Sequence, residues 1–592
     1  MNPKQFSGTS SSLLLAWVCV LALAMSGAAH AQSQKHDDLF VSPSTPGTPG
    51  GKLVISLRSE PRTFNPVTAV DQVSVGILGR TMADLIHINR STQKSAPALA
   101  RSWTISKNGT VFTLKLRRGL KFSDGAPFDA DDVIFSFKVY LDEKIHSPFR
   151  DLLMMPSKAI KVEKLDRFTV RFTFPAPYAP LERAFDTVAV LPRHLLEKAY
   201  QEGKIGQSWG LNTPPDQMAG LGPFRLKQFV PGSRVVLERN PYYWKVDSKG
   251  QKLPYLDELT FLIVPSQDAQ VVRFETGDSQ IISGLSGDNF AALEPEQQSR
   301  HFKLYDAGPG LEYNFLMFNL NDDTEGRYPE VARRQKWFRD ARFRQAVSAA
   351  IDRAAIVRLV YHNRATALAT HVSPGNKLWF NSAIPAPVHS TEKAKQLLRS
   401  AGFSWKANGT LVDAAGQPVE FTILASSSSQ QRTQMATLVQ EDLKQVGITA
   451  RMVPMEARAV VDRVLNSHDY DSVIMGLAPG DADPTPDMNV LMSNGETHLW
   501  HLGEKTPATP WEAELDRLLE QQLVTLNYGA RKKIYDRIQQ IEAEQLPMIY
   551  LVTPNVLAGA KENLGNFRPA VIEQYTFWNA EELFWHTPAG KH

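Results

Sequence analysis

The chain of 592 residues is too long for one hydrophobic core, and its length predicts roughly three to four domains. With 43% hydrophobic and 21% charged residues and a mean hydropathy of −0.27, its composition excludes global disorder. A net charge of +3 argues against a nucleic-acid or membrane-surface partner. The single cysteine, Cys19, leaves no disulfide, thiolate–zinc or thiol chemistry downstream of it.

In chain order, residues 1–31 read as a secretory signal peptide: Lys4 is positive, 13–25 is apolar, and Ala29-His30-Ala31 fits a small-x-small cleavage site. The apolar run is shorter than the ~20 residues that span a bilayer. Ala16-Trp17-Val18 before Cys19 does not fit a lipoprotein cleavage box, so a soluble periplasmic protein is expected. Residues 32–51, rich in Pro, Gly, Ser and Thr, are expected to form a flexible leader. Order is expected from Lys52, where a buried strand leads into the turn Glu60-Pro61-Arg62-Thr63-Phe64-Asn65-Pro66; 77–88 then reads as a helix with a strand-like end.

Residues 97–142 carry the clearest local signals. Trp103 and Ile105, and Phe112, Leu114 and Leu116, alternate with polar residues around Asn108-Gly109, which predicts a hairpin with a type I′ turn. That turn pairs Ile105 with Phe112 and Trp103 with Leu114, placing every apolar residue on one face. Asp129 then N-caps a helix whose first turn holds Asp131 and Asp132 and whose stripe is Val133, Ile134, Phe137, Tyr140 and Leu141.

Further on, Gly220-Leu221-Gly222-Pro223-Phe224 opens a strand, and Asn240-Pro241-Tyr242-Tyr243-Trp244 follows a second. Residues 256–264 and 315–321 read as strands. The helix after Phe338 shows a stripe of Phe343, Ala346, Val347, Ala350 and Ile351, with Arg342, Arg344 and Arg353 expected on a solvated face. Helices at 391–401 and 430–446 alternate with strands at 419–424 and 448–453, an α/β pattern. Strand 470–475 ends in Gly476-Leu477-Ala478-Pro479-Gly480-Asp481-Ala482-Asp483-Pro484, and the C-terminal end of a strand is where open α/β sheets bind ligands. Helices at 511–522 and 528–544 precede an apolar strand at 548–552.

There is no H-E-x-x-H, P-loop or G-x-S-x-G motif, and the 14 histidines form no i, i+4 pair, so no catalytic residue, metal or cofactor is assigned. Three Asn-x-Thr/Ser triplets, at Asn89, Asn108 and Asn408, read as turns.

Taken in order, the E-P-x-x-x-N-P turn, the hairpin and capped helix, the G-x-G-P-F … R-N-x-x-Y-W block, the F-R-D-A-R-F-R-Q-A helix and the Asp481 loop resemble the family 5 extracytoplasmic solute-binding proteins, the peptide- and dipeptide-binding receptors of ABC importers. The resemblance covers about residues 52–585. It implies an α/β, two-lobed periplasmic-binding-protein fold (type II, cluster C) with an extra domain and two crossing hinge segments, near 306–314 and 553–556. Domain I would comprise 52–92, 213–308 and 553–592, domain II 93–212, and domain III, the second lobe, 309–552. A monomer that delivers its ligand to permease subunits in the inner membrane follows from the same resemblance.

It also implies a ligand-binding carboxylate for a peptide α-amino group, at Asp481 by position or at Asp483. An ammonium leaving water needs such a partner, but Asp483 equally suits an Asx turn before Pro484. His498, Trp500 and Trp379 are further ligand-binding candidates, with core packing as the alternative for both tryptophans. Phe64 and Asn65 would meet the ligand from the opposite lobe. Oligopeptides are the expected ligand; oligosaccharides, opines or another polar solute are the alternative, and a secreted hydrolase is the rival of a different class.

Overall fold

A computed structural model describes residues 38–150, 153–155, 158–324 and 326–586; the expected signal peptide lies outside these. Three sheets organise the chain. The largest is mixed and runs, edge to edge, Phe224–Val230, Arg234–Arg239, Glu258–Ile263, Lys52–Leu57, Ile281–Ser283, Val552–Lys561 and Phe302–Pro309, with Ala365–Ala367 also paired to Val552–Lys561. A second, antiparallel sheet holds Ala100–Ile105, Val111–Leu116, Thr169–Thr173 and Lys161–Asp166. The third runs Thr449–Met455, Glu420–Ser426, Ser472–Leu477, Tyr313–Phe318 and Met548–Tyr550.

The first two sheets share one hydrophobic core, which takes residues from Leu53 to Ile281 and again from Ala558 to Phe584. The third sheet has its own, drawn wholly from residues between Tyr313 and Val552. Two separate cores make two lobes. The chain passes between them at 309–313 and again at Leu551, where it breaks the expected single strand into Met548–Tyr550 and Val552–Lys561. The two crossings lie side by side: Leu551 donates to Asn314 O (2.8 Å), Gly310 donates to Pro554 O (2.9 Å), and Thr553 Oγ1 donates to Gly310 O (3.1 Å).

The hairpin has the expected register, Ile105 opposite Phe112 and Trp103 opposite Leu114. Its turn differs. Gly109, at φ 70°, is left-handed but Asn108 is not, and Gly109 donates to Ser106 O at 2.8 Å. This is a type I turn closed by a left-handed glycine rather than type I′. Ile105, near the turn, is 45% exposed, so the apolar face does not extend to the tip. Asp129 caps the helix Ala130–Leu141 in a full capping box with Asp132.

Two expectations are corrected. Residues 38–51 are not a loose leader: Phe40–Val41 pairs in parallel with Lys245–Val246, Ser42 is buried, and its hydroxyl donates to Glu582 (2.5 Å). A two-residue strand flanked by Ser, Thr, Pro and Gly looks like a linker in composition, because its order comes from backbone pairing and from the single ring of Phe40 packed on Trp244. Arg344 and Arg353 are likewise buried rather than solvated. Arg344 donates to the carbonyls of Phe338 and Leu546, and Arg353 to those of Ser348 and Tyr550. Burial pushes both guanidinium pKa values down to about 10. Each meets carbonyls left open at helix or strand ends, where a cation is favoured.

Candidate functional site

Strand Ser472–Leu477 pairs with Tyr313–Phe318 on one side and Glu420–Ser426 on the other, and delivers the Asp481 loop to the face between the lobes. Opposite it, helix Gln72–Thr81 ends against Gly220 and Gly222. Gly222 N–H donates to Thr81 O (3.0 Å), and a Cβ on Gly220 would lie 2.0 Å from that same oxygen. The G-x-G-P-F motif is thus a close-approach device that fixes the helix end carrying Arg80.

Between them lies a cavity of about 570 Å³ with charge of both signs on its walls. Arg80, Asp84, His87, Arg90, Arg183 and Asp186 line it from the first lobe, and Asp481, Asp483 and Thr485 from the second. The tail contributes Glu573 and Gln574. Arg90 pairs with Asp186 at 2.9 Å, and His87 Nδ1 lies 3.0 Å from Asp84 and 3.2 Å from Asp186. Burial alone would hold His87 neutral, but the two carboxylates outweigh it and raise its pKa to about 9. Arg80 is buried and bonded to Phe577 O and Gln574; burial brings its pKa down to about 10, and its Nε has no partner.

The two loop aspartates differ. Asp483 is buried and fully engaged: Arg531 donates to both of its oxygens at 2.8 Å, and Thr485 adds its N–H (3.1 Å) and hydroxyl (2.6 Å) on Oδ1. Burial opposes its charge, yet Arg531 holds its pKa below the usual carboxylate value. It is an Asx turn anchored by a buried ion pair, the structural alternative of the two. Asp481 is 28% exposed and pairs across the lobes with Arg183; its Oδ1 also accepts Ala482 N–H at 2.6 Å. Burial, together with Asp483 and Asp186, outweighs Arg183 and raises its pKa to about 6.

The lobes also meet through Gln93, whose Nε2 donates to Gly375 O (2.7 Å) and whose Oε1 accepts Lys377 N–H (2.8 Å). Its backbone oxygen accepts Arg183 Nη2 at 2.9 Å.

Of the seven residues expected at the site, only Asp481 and Asp483 reach this cavity. Phe64 packs edge-on against Phe229, and Asn65 donates to Ile205 O (2.7 Å) while accepting Val67 N–H (2.9 Å); both are buried and shape their turn. Trp379 is buried behind the loop with Arg531 stacked over its ring at 4.8 Å. His498 and Trp500 are wholly buried, their rings 4.0 Å apart, inside the second-lobe core. These five are corrected to packing and positioning roles in this arrangement. The residues missed are the cations, Arg80, Arg90 and Arg183, with Asp84, His87 and Asp186. Arg183 and Asp186 stand i, i+3 in a seven-residue helix, Leu181–Thr187, too short for any periodic signal.

Two lobes with separate cores, paired crossings and a charged cavity at a strand's C-terminal end define an extracytoplasmic solute-binding protein. The chain belongs to the bacterial extracellular solute-binding proteins, family 5, whose profile (family 5 Middle) matches residues 94–498. It is therefore the substrate-binding component of an ABC importer, a transport part and not an enzyme. A relative from Deinococcus radiodurans, named "Probable ABC transporter-binding protein", is 28% identical over 516 residues, 84% of this chain and 85% of the relative. The oligopeptide-binding protein AppA of Bacillus subtilis is 24% identical over 563 residues, 94% of this chain and 95% of AppA. AppA's structure with a nonapeptide covers 92% of this chain and 100% of AppA's at a TM-score of 0.66. NikA of Brucella suis, in complex with Fe(III)-EDTA, gives a TM-score of 0.74 at 22% identity, covering 90% of this chain and 100% of NikA's. Among the described residues no helix is long and apolar enough to cross a membrane.

Proposed function

We propose that this chain captures oligopeptides in the periplasm, as a monomer, and presents them to the permease with residues 309–552 closed against the rest. The observation that carries the reading is Asp481: a carboxylate at a strand end, between the lobes, with both of its hydrogen bonds from the protein on one oxygen, Oδ1. Its Oδ2 is left to accept from a ligand α-ammonium, which needs a carboxylate partner once it leaves water. The cations on the opposite wall, Arg80 and Arg90, suit the carboxylate end of the same zwitterion. AppA, similar over most of its length, is named for oligopeptides, which supports the choice.

One observation favours a second reading, a receptor for a neutral or anionic solute. Arg183 already occupies Asp481, so a ligand ammonium must compete with a guanidinium, whereas a sugar, opine or chelate need not. Mass spectrometry of small molecules released by denaturing the purified protein decides between them. Mixed-sequence peptides near one per chain are expected; a single sugar, opine or chelate in their place overturns the peptide reading.

A further inference from the structure

Away from the cavity, residues 493–509 fold over the start of helix Pro510–Val524 and bury a polar group in the second-lobe core. His498 is 0% exposed. Its Nδ1 lies 3.1 Å from the Val490 carbonyl, which makes Nδ1 the protonated nitrogen and leaves the Nε2 lone pair available. Nε2 has no hydrogen-bond partner and faces Glu504 Oε2 at 3.4 Å. The Glu504 side chain is 4% exposed; the Ala508 N–H points at its carboxylate without meeting full hydrogen-bond geometry, and its oxygens have no other hydrogen-bond partner among the described residues.

Glu512 completes the group. It is buried, with Trp500 Nε1 on Oε1 (3.1 Å) and Thr509 Oγ1 on Oε2 (2.7 Å), and each oxygen keeps a further lone pair. One donor atom from each of His498, Glu504 and Glu512 lies within 4.8 Å of the others. Among the described residues the ion pairs of Glu504 are to His498 and His501, with no Lys or Arg.

Two buried carboxylates beside an imidazole lone pair call either for a proton on one of them or for a cation. The 3.4 Å between Nε2 and Oε2 is long for a proton shared in a hydrogen bond. It matches the edge between two ligands of tetrahedral zinc, about 3.3 Å for bonds of about 2.0–2.1 Å. The surroundings are those of a metal-ligating set: the imidazole's other nitrogen on a backbone carbonyl, and the carboxylate oriented by an indole N–H and a hydroxyl.

We propose that His498 Nε2, Glu504 and Glu512 bind one divalent transition-metal ion, zinc by donor type, as a clip that fastens residues 493–509 to helix Pro510–Val524. Two carboxylates neutralise a dication, and three protein donors leave a fourth position for water or for His501, whose Nδ1 lies 3.5 Å from Glu504 Oε1.

The test strips the purified protein with a chelator, adds zinc chloride, and measures retained zinc by mass spectrometry after gel filtration, together with Tm. The expected result is one zinc per chain and a Tm raised by several degrees. Both effects should vanish in Glu504→Gln, which keeps the shape and removes the charge; Glu512→Gln serves if that variant does not fold. His87→Asn, which removes the imidazole of the cavity's own His–carboxylate group, should retain the zinc. Wild-type protein that holds no zinc, zinc that persists in the glutamine variants, or zinc lost in His87→Asn overturns the proposal.

Discussion

Residues 97–142 and residues 476–487 are both rich in aspartate, and they spend it differently. In the first stretch each shapes its own backbone: Asp124 takes Ala126 N–H, Asp129 takes Asp131 N–H, and Asp132 reaches back to Asp129 N–H, while long-range partners such as His194 on Asp124 and Arg167 on Asp129 stay at the surface. In the second, Asp483 answers Arg531, 48 residues on, and Asp481 answers Arg183, 298 residues back. Local aspartates cap and turn the backbone. Distant ones join elements, and their roles depend on which partner the fold supplies.

The comparison can be broken at its strongest point first. Asp483→Ala strands the buried Arg531 guanidinium and should cost about 3–5 kcal/mol in urea unfolding; a loss near 1 kcal/mol would make Asp483 an ordinary turn residue. Next comes pH. Asp481 has a raised pKa, about 6, so below that value protons compete with a cationic ligand and affinity should fall about tenfold per pH unit in calorimetry. Asp483 has a lowered pKa, so its stabilising contribution is present above the unfolded value of about 3.9 and is lost as pH falls through the folded one. Binding should therefore fail near pH 6 while the fold persists to about pH 4. A common midpoint would erase the difference between the two aspartates.

Smaller effects sharpen the contrast. Arg183→Ala breaks a largely buried pair and the bond to Gln93 O, so its stability cost should be about 1–3 kcal/mol. It should nevertheless raise the affinity for a peptide ammonium, because a competitor is gone. Unchanged affinity in calorimetry would mean that Arg183 and the ligand do not share Asp481. Asp129→Ala removes a cap and should cost about 1 kcal/mol, with no change in ligand affinity.

The elements were largely legible in the sequence, since helix stripes, caps and period-two strands are written within a few residues. Gly402 and Gly447 stand left-handed where helices end, as helix-stop signals predict. What failed was whatever depends on reach. Arg344 and Arg353 sit off the apolar stripe, but periodicity does not register that a long side chain can turn inward to carbonyls at an element's end. His498 and Trp500 suggest cleft residues because they follow the loop in sequence, and Trp379 because its own loop resembles one that approaches the ligand in the family; in space all three are buried away from the cavity. Arg90 and Arg183 come from short, aperiodic segments, and Arg80 from a regular helix whose pattern gives no sign that this charged residue turns inward.

Ser42 and Lys52 rest on partners from the far end of the chain. Ser42 bonds to Glu582 across 540 positions, and Trp585 Nε1 donates to Lys52 O at 2.9 Å. The second lobe, by contrast, is a continuous stretch. A chain released from its N-terminus can therefore assemble the second lobe while the first still lacks its closing strand, Val552–Lys561, and its last buried residues. The lobe that begins first is finished last, so C-terminal truncation should damage the N-terminal half more than the segment it adjoins.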